Sequence, residues 1–297
     1  MSIRQGLSQF ADFTAFAGLG PGALAARRAD RSRIAFLPVL HVEQLGVEAH
    51  FDGLIRYCDG YRRITGKRPV ATVLTPLSPM LTQRLSETGA SADLYAQRIA
   101  RLGESAIIGL HGHFVRTGRG GAIRPMHESF FDASVIRAQI RAETNWLVER
   151  GLMDADRKIY SAGWWFMNDA IQGILEDEGY RHDYSIAAGR YCHSQAAWSE
   201  RARRGSLGHV MRADESPGLI RATALCSASV PGRPRAAFRR LALDPALRRH
   251  RWQDGTYLTF YGHDYDLAAD EGIEAVRLLH ARGYAFFEPA DLEARAV

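Results

Sequence analysis

Short continuous apolar runs alternate along this chain with stretches in which apolar residues return every three or four positions. The first kind predicts buried strands, the second amphipathic helices laid against them. The strand candidates are "RIAFLPVL" (33–40), "PVATVLTP" (69–76), "SAIIGLHGH" (105–113), "RKIYSAG" (157–163), "RHDYSIAA" (181–188), "PGLIRATAL" (217–225), "GTYLTFYGH" (255–263) and "YAFFEP" (284–289). Between them, 47–66 places Phe51, Leu54, Ile55 and Cys58 on one helical face, with Gly66 as a stop. Ser78 and Pro79 open a second helical stretch. Asp132 caps a long helix carrying Ile136, Ile140 and Leu147 and ending at Gly151. Asn168 caps another that Gly179 stops, and "GIEAVRLLHARG" (272–283) is a clean amphipathic helix. The Gly-rich stretch 116–131 reads as a loop.

Strand–helix alternation sustained over most of the chain predicts a parallel sheet covered by helices. Seven or eight strands without a dinucleotide-binding glycine fingerprint point to an α/β fold of the closed or nearly closed β/α-barrel type. Barrels of this kind gather their chemistry at the C-terminal ends of the strands. The expected organisation is an N-terminal extension over 1–30 and a single catalytic domain over 31–297. An aperiodic insertion or lid falls around 188–216.

Composition narrows the reading. With 46% hydrophobic and 24% charged residues in 297, the chain is an ordinary globular protein. A net charge of +5, from 38 Lys+Arg against 33 Asp+Glu, is too mild for a nucleic-acid-binding surface. Arginine nevertheless clusters in 199–206 and 231–252, and it suits phosphates and carboxylates. Three scattered cysteines, Cys58, Cys192 and Cys226, make no disulfide framework. No leader pattern opens the chain, and no apolar run nears the ~20 residues of a membrane span. A cytoplasmic protein without a transmembrane segment is expected.

The residues just after each strand carry the chemistry. His41 and Glu43 follow the first, His111 and His113 end the third, and Trp164 and Trp165 follow the fourth. His182 and Asp183 lie in the fifth, and His263, Asp264 and Asp266 close the penultimate one. Residues two apart on a strand face the same side. His111 with His113, and His41 with Glu43, can therefore converge on one divalent ion. An isolated strand-end histidine is usually structural, but this combination favours a metal. His263 across the mouth could protonate a leaving group. Trp164 and Trp165 are core residues or a stacking platform for a ligand, and Arg124 and His127 could reach over the site. There is no GxSxG nucleophile elbow and no phosphate loop.

These segments resemble the polysaccharide deacetylases, the NodB-like carbohydrate esterases. The matching patches are "FLPVLHVEQ" (36–44), "IIGLHGHF" (107–114), "IYSAGWWFMNDAIQGILEDEGYRHDYSIA" (159–187) and "LTFYGHDYDL" (258–267). The resemblance implies a distorted β/α barrel of about seven parallel strands and a divalent metal, zinc being the expected ion. It also implies removal of an N- or O-acyl group from a sugar. The family's Asp pair stands here as His41 and Glu43, its His-x-x-x-His as His111-Gly-His113, and its arginine before the "AGWW" turn as Ser161. Glu43, His111 and His113 then form the metal set. Either His41 is the base, or Glu43 is the base and His41 joins the metal. Asp183 orients one of these groups, and His263 matches the family's acid.

The expected activity is metal-dependent deacylation of a nucleotide- or lipid-linked sugar in surface polysaccharide or O-antigen assembly. Its partners would be that substrate and no nucleic acid, with a homo-oligomer allowed. A metal-dependent glycosidase or amidohydrolase on the same barrel, or a non-catalytic sugar-binding assembly protein, are the alternatives.

Overall fold

The computed structural model describes residues 34–126, 128–185, 210–211, 219–222, 224–227, 256–267 and 269–293. The extension 1–30, His127, Cys192, both arginine clusters and nearly all of the insertion 188–216 lie outside the described residues.

The chain folds as alternating strands and helices in the expected order. Strands β1 (Ile34–Val42), β2 (Val70–Val73), β3 (Ile107–Gly112), β6 (Lys158–Ala162) and β7 (Tyr180–Asp183) are joined by helical crossovers and pair in parallel. β11 (Thr256–His263) pairs in parallel with β1 on its other edge. The ring turns back through the segment 220–227. Its first part, β9 (Ile220–Ala222), pairs with β7, and its second, β10 (Ala224–Ser227), pairs with β11. One residue separates the two, so a single segment carries both ends of the ladder. Seven mostly parallel strand positions follow, β1-β2-β3-β6-β7-(β9/β10)-β11, in agreement with the α/β class expected from the sequence, with no ladder among the described residues pairing β9 to β10 to close the barrel. β8 (Val210–Met211) adds an antiparallel edge to β9, and β12 (Ala285–Phe286) pairs with the start of β1. Pro38, in the middle of β1, has no amide to donate. It falls where that edge changes partner, between Phe36 on β12 and Val39 on β2.

The period of two divides the buried residues into two cores. Leu40 and Val42 of β1, Ala71 and Val73 of β2, Ile108 and Leu110 of β3, and Tyr160 and Ala162 of β6 face the helices. Those helices are α1 (Glu48–Thr65), α2 (Pro79–Thr88), α3 (Ala92–Gly103), α4 (Ala133–Glu149), α5 (Asp169–Asp177) and α6 (Ala269–Ala281). Ala35, Leu37, Val39, Val70, Ile159 and Tyr257 point inside the barrel. Phe287, and Leu292 of α7 (Pro289–Glu293), pack into this inner core. α1 and α6 touch where Gly60 leaves room for Ile273, since a Cβ there would come within 2.7 Å of that side chain.

The caps act largely as read. Asp132 accepts the amides of Ser134 and Val135, Asn168 accepts that of Ile171, and Gly66 ends α1 in the left-handed region at φ 71°. Three details differ. Ser78 holds the N-cap position of α2, but its side chain makes no capping hydrogen bond. Gly89, at φ 69°, divides the second helical stretch into α2 and α3, and Ser91 caps the latter. The Gly-rich loop holds an antiparallel hairpin, β4 (Val115–Thr117) with β5 (Ile123–Pro125). Gly120 and Gly121 supply the positive φ of its turn, which is why a glycine-dense stretch still forms strands. Cys58 is buried in α1, where loss of solvation pushes its thiol up out of the reactive range. Among the described residues no helix is long and apolar enough to cross a membrane.

Two tests follow from the packing. Glu143 of α4 is buried, accepting Thr75 Oγ1 at 2.9 Å and Gln139 Nε2 at 2.7 Å. Burial pushes its carboxyl from 4.5 up to about 7, against those hydrogen bonds. Between these values the unfolded chain releases a proton that the folded chain keeps, so the group's contribution to stability is lost as pH rises through about 7. A shift of this size corresponds to roughly 3 kcal/mol. Glu143→Gln should therefore gain on the wild type by up to that amount between pH 4.5 and pH 8 in urea melts, and a pH-independent difference would refute it. At Gly109 a Cβ would lie 2.8 Å from the Ile159 carbonyl oxygen. Gly109→Ala should cost about 1–3 kcal/mol in the same assay.

Candidate metal centre

The inward column of β1 continues its parity from Ala35, Leu37 and Val39 to His41 and then Glu43. That of β3 runs through Gly109 to His111 and His113, that of β6 through Ile159 to Ser161 and Gly163, and that of β11 through Tyr257 and Thr259 to His263. Register aligns the upper members, His41 opposite His263 and His111 opposite Ser161. Each column is apolar below and polar at its C-terminal end, so the side chains singled out from sequence meet at one mouth.

Glu43, His111 and His113 converge there, all buried. Glu43 Oε1 lies 3.2 Å from His113 Nε2 and 3.5 Å from His111 Nε2, and the two Nε2 atoms are 2.9 Å apart. His111 Nδ1 donates to the Ser161 carbonyl at 3.0 Å, which leaves its Nε2 lone pair facing the cluster. The set fits a divalent ion. Bonds of about 2.0–2.1 Å at tetrahedral angles separate donor atoms by roughly 3.3 Å, and two imidazoles with one carboxylate suit zinc.

Burial alone would raise the Glu43 carboxyl, but hydrogen bonds and charge from His111 and His113 hold it well below the usual range. Burial pulls His111 down to about 4 despite Glu43. His41 stands beside the cluster. It stacks on His111 with ring centroids 4.4 Å apart, and its Nε2 shares a 3.0 Å hydrogen bond with Ser161 Oγ. Burial, then His111 and His263, keep it far below the ordinary histidine value, hence neutral. His263 Nε2 is 4.0 Å from Glu43 Oε1 and its Nδ1 3.5 Å from Asp266. Burial opposes its charge, yet Asp266, Glu43 and Asp264 outweigh that and raise it.

Trp164 and Trp165 form the wall. Trp164 packs edge-on to His113 at 4.3 Å, and Trp165 to Tyr261 at 5.0 Å. Both have positive φ, 49° and 57°, a strained conformation for bulky residues. Gly163 lets the turn pass close to His113, since a Cβ there would fall 2.1 Å from that ring. Asp183 belongs to the support of this turn. It accepts the Ser185 amide at 3.0 Å, and Ser185 Oγ accepts the Ala162 amide at 2.9 Å. Asp183 is outside the converging set. Arg124 is exposed on β5, and His127 lies outside the described residues.

Three contributors went unassigned in the sequence. Asp264 binds the amides of Glu43 at 3.2 Å and Gln44 at 2.7 Å, joining the ends of β1 and β11. Its place in "YGHDYD" was the available signal. Gln139 donates to the His113 carbonyl and also to Glu143. Arg84 of α2 donates to Glu43 Oε2, and nothing in its helical context marks it.

No protein-family profile matches the sequence, and no curated protein does. Solved structures do. A Mycobacterium smegmatis protein, provisionally assigned as a polysaccharide deacetylase, superposes with a TM-score of 0.56 at 15% identity, over 92% of this chain and 94% of that one. A protein of Enterococcus faecalis V583, provisionally assigned to cellobiose-phosphate cleavage, gives 0.49 at 11% identity over 89% and 99%. The family 4 carbohydrate esterase PdaA of Bacillus subtilis gives 0.44 at 12% over 96% and 90%. At such identities the likeness is one of fold: this chain shares the α/β fold of the Mycobacterium smegmatis protein.

Proposed function

We propose that the protein is a divergent polysaccharide deacetylase, a metal-dependent hydrolase that removes an N- or O-acyl group from a sugar. The observation that carries this reading is the convergence of Glu43 Oε1 and the Nε2 atoms of His111 and His113 within 3.5 Å of one another, buried at the mouth of such a barrel. These three residues would hold a divalent ion, zinc by their chemistry. Once bound, such an ion lowers the pKa of water and polarises a carbonyl.

The remaining roles fall to groups around that set. With Glu43 committed to the cluster, His41 is the neutral imidazole assigned to take the proton of the attacking water. His263, at the rim, is the acid that protonates the departing sugar oxygen or nitrogen as the acyl group leaves as a carboxylic acid. Asp183 acts through the Trp164–Trp165 turn, whose rings offer apolar faces to a sugar. A nucleotide- or lipid-linked sugar, of the kind consumed in surface polysaccharide assembly in the cytoplasm, is the substrate class we favour, with Arg124 placed near its phosphates. The alternative is sugar binding without turnover. It is favoured by the single carboxylate in the cluster, where the family resemblance leads one to expect two.

Purified protein should hold near-stoichiometric zinc by elemental analysis, and His111→Ala and His113→Ala should lose it. The wild type should release acetate from at least one N- or O-acetylated nucleotide or lipid-linked sugar. His263→Ala should keep its metal and lose at least about 10²-fold in turnover. Failure to take up metal would refute the metal reading. Metal and sugar binding without acyl release would establish the non-catalytic alternative.

A further inference from the structure

Glu43 is 4% exposed, and a carboxylate so placed needs partners for both oxygens. Oε1 faces the two histidines. Oε2 faces away from them, toward Arg84, whose Nη1 lies 2.9 Å from it. The same Nη1 is 3.1 Å from the main-chain oxygen of Glu43. One guanidinium nitrogen therefore ties the end of the side chain to its own backbone. Behind that backbone, Asp264 binds the Glu43 and Gln44 amides. Main chain and carboxylate are fixed from two sides.

Arg84 comes from α2, not from any strand end. It is part-exposed, and with Gln44, Leu81 and Leu85 it lines a cleft of about 150 Å³ whose inner wall is Glu43. Freed of Arg84, Glu43 would have Oε2 open to that cleft and would be able to turn toward it.

We infer that Arg84 is the positioning residue of the metal centre, holding Glu43 so that Oε1 alone is presented to the ion. This rests on the metal-binding reading above. Arginine suits the task because its charge and planar donors are fixed together, whereas lysine offers a point charge on a flexible stem. Partners that orient a ligand in this way typically contribute 10- to 100-fold in metal affinity.

The test is zinc affinity by chelator competition for the wild type, Arg84→Met and Arg84→Lys, with the melting temperature of each metal-free protein and the visible spectrum of each Co²⁺ form. Arg84→Met should bind zinc at least about tenfold more weakly with an altered Co²⁺ spectrum and should melt lower without metal, since Glu43 loses a partner, whereas metal-free Arg84→Lys should melt near the wild type. Arg84→Lys should fall between it and the wild type. Wild-type affinity and spectrum in Arg84→Met overturn the inference. A loss of affinity that merely follows a lowered metal-free melting temperature in both variants also overturns it, since Arg84 would then be structural. A wild type that binds neither zinc nor Co²⁺ refutes the metal reading itself, an outcome distinct from both.

Discussion

Everything at the mouth of this barrel is arranged around a carboxylate that has been taken out of water. An ionised Glu43 costs several kcal/mol to bury unless it is surrounded by donors and positive charge. Two imidazoles meet one oxygen, a guanidinium meets the other, and Asp264 pins the backbone beneath. These partners come from β3, from α2 and from the end of β11, which are far apart in sequence. The carboxylate is thus a node at which three crossovers must dock correctly, and the residues that satisfy its charge also shape the site.

The barrel makes that node possible through its period of two. Inward positions on β1, β3, β6 and β11 change from apolar to polar at a common height, which keeps the lower barrel dry and raises the electrostatic stakes at the top. Small residues sit where the columns crowd. Gly109 admits Ile159 and Gly163 admits the His113 ring. The turn that exploits this space holds two consecutive tryptophans in the left-handed region. Strain of that kind persists only where surroundings over-determine the conformation. Here the Asp183–Ser185–Ala162 hydrogen bonds and the ring contacts to His113 and Tyr261 do so.

Much of this was legible in the chain itself. Strand-length apolar runs, and histidines two apart at their ends, carry local information, because strand parity fixes which side chains share a face. The pairing of His111 with His113 needed only that parity, whereas Glu43 as their partner came from the resemblance to the deacetylases. What escaped was set by tertiary docking. Arg84 sits among ordinary helix residues, and only the packing of α2 against the end of β1 brings it to Glu43. The choice between His41 and Glu43 as the residue nearest the pair was open for the same reason. Both face inward, but His41 is still within β1 and Glu43 lies just past its end. The β4–β5 hairpin was hidden because glycine density signals a turn but not the strands beside it.

The charge balance of the donor set follows from these placements. The mouth gathers four histidines, His41, His111, His113 and His263, around one carboxylate, and that carboxylate is shared with a guanidinium. Imidazoles are neutral when they ligate, so the set offers an ion little compensating negative charge. Glu43, His111 and His113 would hold a divalent ion with a single ligand charge, so that about half of the ion's charge would remain to polarise water and a carbonyl oxygen. The guanidinium of Arg84 meets the carboxylate at Oε2, while the two imidazoles meet it at Oε1. Beside the cluster, the Ser161 hydroxyl and the neutral His41 imidazole are joined by a hydrogen bond.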